Sequence, residues 1–160
     1  MRAEAAARGG APLRILEIGA GTGGTTAYTL DVVPTGSTYV FSDLSPLFLE
    51  RARERFGAHD GLDMRLLDIE KDPLTQGFAS HEFDVIIASN VLHATADLRQ
   101  TLAHVSQLAA PGALLLLLEG TAPMRWVDLT FGLTDGWWRF TDADVRPLHP
   151  LVDGARWMQL

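Results

Sequence analysis

The chain has 160 residues, 47% of them apolar and 21% charged, with 13 Lys and Arg against 20 Asp and Glu. That length and apolar content suit one packed domain over residues 1–160 and exclude wholesale disorder. A net charge of −7 repels phosphate backbones, and the absence of cysteine excludes disulfide scaffolds, thiol nucleophiles and Cys-ligated zinc.

Met1 to Pro12 carries Arg2, Glu4 and Arg8 and no apolar core of a secretion signal. The longest purely apolar run, Ala113 to Leu118, is too short to cross a bilayer. A cytoplasmic domain with neither membrane nor nucleic acid as partner is expected.

Leu13 to Ile18 is a compact apolar run ending in glycines and predicts a strand. Thr25 to Val33 carries Ala27, Leu30 and Val33 at helical spacing and stops at Pro34. Thr38 to Ser42 is β-branched and aromatic, a second strand. Ser45 then caps a helix with Pro46 at its first position and Phe48, Ala52 and Phe56 as its apolar stripe. Met64 to Leu67 and Phe83 to Ala88 predict strands three and four. A helix opens at Thr95, with Leu98, Leu102, Val105 and Ala109 on one face, and Pro111-Gly112 breaks it before a fifth strand, Ala113 to Glu119. The strands around Val85 and Leu116 are apolar at consecutive positions, as expected of central strands covered on both faces. Alternating strands and helices imply right-handed crossovers and a doubly wound, mainly parallel α/β sheet with helices on both faces.

In such sheets ligands bind beyond the carboxyl ends of the strands. Strand one ends in Glu17-Ile18-Gly19-Ala20-Gly21-Thr22-Gly23-Gly24, where glycines allow a tight turn and close approach of a ligand. Asp43 ends strand two, where a carboxylate accepts hydrogen bonds from both hydroxyls of a ribose. NAD and S-adenosylmethionine both carry an adenosine. Glu17 favours S-adenosylmethionine, because a carboxylate there repels a pyrophosphate and suits an ammonium and a sulfonium. Asp68, closing strand three, is placed to meet the adenine amino group. The alternative is that these acids only cap the helices that follow.

The Glu17–Gly23 segment resembles motif I of class I S-adenosylmethionine-dependent methyltransferases. Four further segments are similar to the C-methyltransferase domains of polyketide synthases: Phe41 to Ser45, Leu67 to Glu70, Ser89 to Thr95 and Phe131 to Trp138. The resemblance implies a Rossmann-like core that binds S-adenosyl-L-methionine through Glu17, Gly19, Ala20, Gly21, Gly23, Asp43, Leu44, Asp68, Ile69 and Asn90. It also implies methyl transfer to the α-carbon of a β-ketoacyl chain on an acyl carrier protein, among neighbouring polyketide synthase domains. His93 and Glu119 fall on the family's catalytic pair. The residues agree: His93 follows strand four and Glu119 ends strand five, so both belong on the cofactor rim. An imidazole titrating near neutrality, oriented by a carboxylate, can deprotonate a carbon flanked by a ketone and a thioester.

The remaining residues of note carry less. His59, His81 and His104 read as surface or filler, and no spacing among the five histidines suggests a metal site. Trp137-Trp138 either lines the acyl pocket or packs a C-terminal segment. Arg51, Arg53 and Arg55 alternate with other residues on an outer helix face, a solvated surface or a dock for an acidic carrier. Measured against the family the chain looks shorter at both ends, so an N-terminal lid and a last hairpin are expected to be missing, the leucines of strand five to lie at a sheet edge, and the chain to be a segment of a larger synthase. A small-molecule O- or N-methyltransferase and a truncated, catalytically silent domain with a structural role remain as alternatives.

Overall fold

The computed structural model describes residues 10–160; the N-terminal stretch discussed above lies, up to residue 9, outside the described residues. Five strands form one parallel sheet: β1 (Arg14–Ile18), β2 (Thr38–Asp43), β3 (Leu62–Leu66), β4 (Phe83–Ser89) and β5 (Ala109–Leu118). Their spatial order is β3-β2-β1-β4-β5, so the order reverses between β1 and β4. That reversal opens a crevice at the carboxyl ends of β1 and β4, the usual ligand position in a doubly wound sheet. The helices are α1 (Gly24–Thr29), α2 (Pro46–Phe56), α3 (Leu98–Leu108), α4 (Arg125–Thr130) and α5 (Gly154–Trp157).

Alternation within the strands divides the core between the two faces. Leu16, Ile18, Ile86 and Ala88 face one side and pack with Leu98, Val105 and Leu108 of α3 and with Val145 and Val152. Ile15, Val85 and Ile87 face the other with Leu13 and Tyr39. Phe41 joins Leu49, Ala52 and Phe56 of α2 there. Leu49 therefore takes the core place expected of Phe48, which lines a cavity instead. Ser45 occupies the N-cap position of α2, but its hydroxyl makes no capping bond. The carboxylate of Asp43 serves the chain there, accepting from the Ser45 amide at 2.8 Å.

The second half of the chain departs further from its periodicity. The helix expected from Thr95 starts at Leu98, where Asp97 caps the Gln100 amide at 3.0 Å. Ala109 is already a strand residue opposite Phe83, so Pro111-Gly112 falls inside β5, beside a register irregularity, and does not end a helix. β4 is buried throughout its apolar run, but β5 pairs only with β4, and Leu115, Leu116 and Leu118 are exposed. The expectation of a doubly covered strand around Leu116 is thus corrected among the described residues, whereas that of a leucine edge holds. No helix among the described residues is long and apolar enough to cross a membrane.

Candidate active site

Two cavities meet at the carboxyl ends of β1 and β4. The first, about 470 Å³, runs from the glycine turn along the ends of β2 and β3, with Ile18, Gly19, Gly21, Asp43, Leu44, Asp68 and Ile69 in its wall. That volume lies within the range of small-molecule sites. The second, about 390 Å³, is lined by Met124, Trp126, Val127, Phe131 and Leu151 among others. Asn90, His93, Phe131 and Trp137 belong to both walls.

The turn after β1 is left-handed at Gly19, Gly21 and Gly23, with φ of 61°, 57° and 76°. A Cβ at Gly19 would sit 2.3 Å from Val91 Cγ2, and one at Gly23 would sit 2.4 Å from Phe56. Both positions thus need glycine for conformation and for space. The turn is tied to β2: the Ala20 amide donates to the Ser42 carbonyl and the Gly21 amide to Asp43 Oδ2, each at 2.9 Å. Asp43 therefore spends one lone pair of each oxygen on a backbone amide and keeps others for hydroxyl donors. Asp68 accepts from the Glu70 amide at 3.1 Å and pairs with Lys71 at 2.9 Å. An apolar wall with carboxylates at its rim fits an adenosine, which pairs an apolar base with hydroxyl and amino donors.

Glu17 is placed differently from expectation. Its side chain lies outside the cavity wall, 1% exposed, where Thr26 Oγ1 and the Tyr39 hydroxyl both donate to Oε2 at 2.6 Å. Burial pushes the Glu17 carboxyl above its ordinary value, against the two hydroxyl donors, and pushes the Tyr39 phenol up as well. Glu17 braces β1 against β2 and α1; direct contact with a ligand's ammonium is not its position. Ala20 and Gly23 likewise shape the turn without entering the wall.

At the reacting end, β4 runs into Asn90, whose φ of 51° is left-handed, a conformation an asparagine tolerates and one frequent at functional sites. A short 3₁₀ turn, Leu92–Ala94, follows. Glu119 comes off the end of β5 and holds this turn with both oxygens. Oε1 accepts from the Val91 and Leu92 amides at 2.9 and 2.8 Å, and Oε2 lies 2.5 Å from His93 Nδ1. The Glu119 side chain is 1% exposed and the His93 side chain 10%. A carboxylate at Nδ1 accepts the hydrogen bond of the Nδ1–H tautomer, which leaves the lone pair on Nε2. The Trp137 indole meets His93 edge-on, with ring centroids 5.4 Å apart. Trp137 thus both lines the cavities and packs with Val127 and Leu151, while Trp138 is half-exposed and donates to the Gly132 carbonyl.

Sequence reasoning missed several wall residues. Phe48, Glu70 and Arg139 line the first cavity; Arg139 pairs with Glu70 at 3.3 Å, and Glu70 accepts from the Ala96 amide. His149, donating to Asp128 at 2.9 Å and edge-on to both tryptophans, carried no local signal. His104 Nδ1 donates to the Ile69 carbonyl at 2.8 Å inside the core. Among the described residues no cluster of His, Asp and Glu could hold a metal ion.

This fold and rim define a Rossmann-like domain built for an adenosine-bearing cofactor. The family described as "Methyltransferase domain" matches residues 16–115, and the chain belongs to it. Its fold is that of class I S-adenosylmethionine-dependent methyltransferases, and its relatives include polyketide synthases and carbon methyltransferases. It is 47% identical over 150 residues to the highly reducing polyketide synthase FUM1 of Gibberella moniliformis, covering 91% of this chain and 6% of that one. The crystal structure of the CurJ carbon methyltransferase superposes with a TM-score of 0.90 at 53% identity, covering 92% of this chain and 40% of that one. The trans-methyltransferase CalH, solved in complex with SAH, gives 0.85 at 47%, covering 92% and 43%. The chain thus spans less than half the length of each.

Proposed function

We propose that residues 1–160 form one methyltransferase core that methylates the α-carbon of a β-ketoacyl chain presented by an acyl carrier protein, in the cytoplasm and among the other domains of a polyketide synthase. The observation that carries this reading is the His93–Glu119 pair at the junction of the adenosine-type cavity and the apolar cavity. Bound S-adenosylmethionine supplies an electrophilic methyl group. Asp43 takes the ribose hydroxyls, Gly19 and Gly21 admit the cofactor's approach, Leu44 and Ile69 flank its base, and Asp68 meets its amino group. Asn90 stands at the junction and fixes the reacting end of the cavity.

His93 Nε2 accepts the proton from the substrate α-carbon, and the electron pair left behind moves into the adjoining carbonyls. Glu119 stabilises the resulting imidazolium through Nδ1 and keeps the ring in register. Trp137 and Phe131 keep water from the reacting carbon and offer the acyl chain an apolar wall. The remaining contribution is positional: the walls shared by the two cavities would hold the α-carbon beside the bound cofactor's methyl group.

The test is mass spectrometry of a carrier-bound β-ketoacyl chain after incubation with S-adenosylmethionine. Methylation at the α-carbon, lost in His93→Ala while the cofactor still binds, supports the reading. Methylation at oxygen or nitrogen would favour a small-molecule O- or N-methyltransferase. No transfer by a cofactor-loaded wild type would favour a catalytically silent domain.

A further inference from the structure

We infer that Arg146, held by Asp142, is a positioning residue for proton removal: from behind the site it fixes the loop that carries His93. The inference rests on His93 being the base proposed above.

Arg146 is wholly buried. Its Nε donates to Asp142 Oδ1 at 2.6 Å, and its Nη1 donates to the His93 carbonyl at 2.8 Å. Nη2 donates to the carbonyls of Thr95 and Ala96, each at 2.9 Å. The guanidinium plane lies over the Phe140 ring, 5.1 Å from its centroid. Asp142 turns its second oxygen to the Leu98 amide at 2.9 Å, the first residue of α3. The two side chains therefore grip one stretch of backbone, from His93 to Leu98, at four of its polar groups.

Glu119 and Arg146 hold the base from opposite sides. Glu119 fixes the imidazole at Nδ1 and the amides that lead into the turn. Arg146 fixes the carbonyl of His93 itself and the chain that leads out. With both in place the backbone on either side of the ring is hydrogen-bonded to a buried charged group.

A role in stability alone explains this poorly. Burying an ion pair is no better for stability than packing apolar side chains of similar volume, because both charges lose their water. What the guanidinium provides is geometry: a rigid planar fork reaches a carboxylate and three carbonyls at once, which a lysine ammonium cannot match. All three carbonyls belong to the His93 loop. A base displaced by about 1 Å can lose on the order of 100-fold in rate.

The experiment is exchange of the α-hydrogen of a β-ketoacyl thioester with solvent deuterium, on full-length protein loaded with S-adenosylhomocysteine. It reports proton removal without methyl transfer. In Arg146→Lys the charge stays and the fork is lost; in Asp142→Asn the charge is lost and one of the two acceptors becomes a donor, so only one of the bonds from Arg146 and the Leu98 amide can remain. Exchange is expected to fall by about 10- to 100-fold in Arg146→Lys and less in Asp142→Asn, with S-adenosylhomocysteine affinity unchanged by calorimetry. Exchange at the wild-type rate in both variants overturns the inference and leaves the base reading standing. Loss of exchange in step with cofactor affinity, or failure of both variants to fold, overturns it in favour of a structural role. Wild-type exchange no faster than that of His93→Ala overturns the base reading, and positioning with it.

Discussion

From Gly19 to Ile69 the cofactor rim is formed by the ends of three adjacent strands, and each side chain is held by a neighbour on the next strand or the following turn. Asp43, for instance, ties the glycine turn on one side and the start of α2 on the other. The reacting end gathers residues from far apart: Glu119 is 26 positions from His93, and Arg146 is 53. The rim's ties join the ends of paired regular strands, as from Gly21 to Asp43 across 22 positions. The His93 loop has almost no regular structure, and buried charged groups satisfy its backbone instead. The two regions touch at one tight point, where Gly19 leaves room for Val91.

Four substitutions separate them. His93→Ala should remove base catalysis alone, lowering methyl transfer by about 10²- to 10⁴-fold with cofactor affinity retained in a calorimetric titration. Gly19→Ala acts on both regions at once, because the added Cβ drives into Val91 and φ stays at 61°. A strain of roughly 1–3 kcal/mol should lower thermal stability, cofactor affinity and transfer rate together. If only affinity falls, the two regions are less coupled than the contact implies.

Asp43→Asn should act on the cofactor rim, removing the charge and one of the two acceptors that serve the Gly21 and Ser45 amides. Loss of charge-assisted hydrogen bonds worth about 1.5–3 kcal/mol predicts a dissociation constant raised about tenfold or more, with little effect on α-hydrogen exchange. Glu17→Gln gives the smallest effect and tests the bracing role through pH. The folded state holds the Glu17 proton more tightly than the unfolded chain, so it contributes stability below the ordinary value of 4.5, and that contribution is lost as pH rises through the raised folded value. Melting curves of both proteins should show the wild type losing ground to the variant as pH rises across that window. A parallel pair of curves would mean that burial does not set the titration of Glu17.

Much of the fold was legible because its signals are local. The apolar run before the glycines and the Ser45-Pro46 start of α2 fixed the positions of β1 and α2. Asp43 and Asp68 could be assigned to the rim because a strand's end places its side chain at a known edge of the sheet. Other readings failed where a local pattern served two structures. Phe48 and Leu49 are adjacent on a helix, and only packing against Phe41 decided which entered the core. The spacing from Leu98 to Ala109 suits a helix, yet pairing with Phe83 drew Ala109 into β5.

Glu17 shows the limit most directly. Its position before the glycines was evident, but strand alternation and the Thr26 and Tyr39 hydroxyls turn its carboxylate into the interior. The amino-acid sequence by itself determined the order of strands and helices, the glycine turn and the acids of the rim. These follow from backbone propensity and side-chain period within a few residues. Tertiary structure alone decided which buried groups face one another: Glu119 behind His93, and Arg146 on the carbonyls of the same loop. A buried donor must find its acceptor wherever the packed chain brings one, and that choice is made across the sheet, between residues with no shared local pattern.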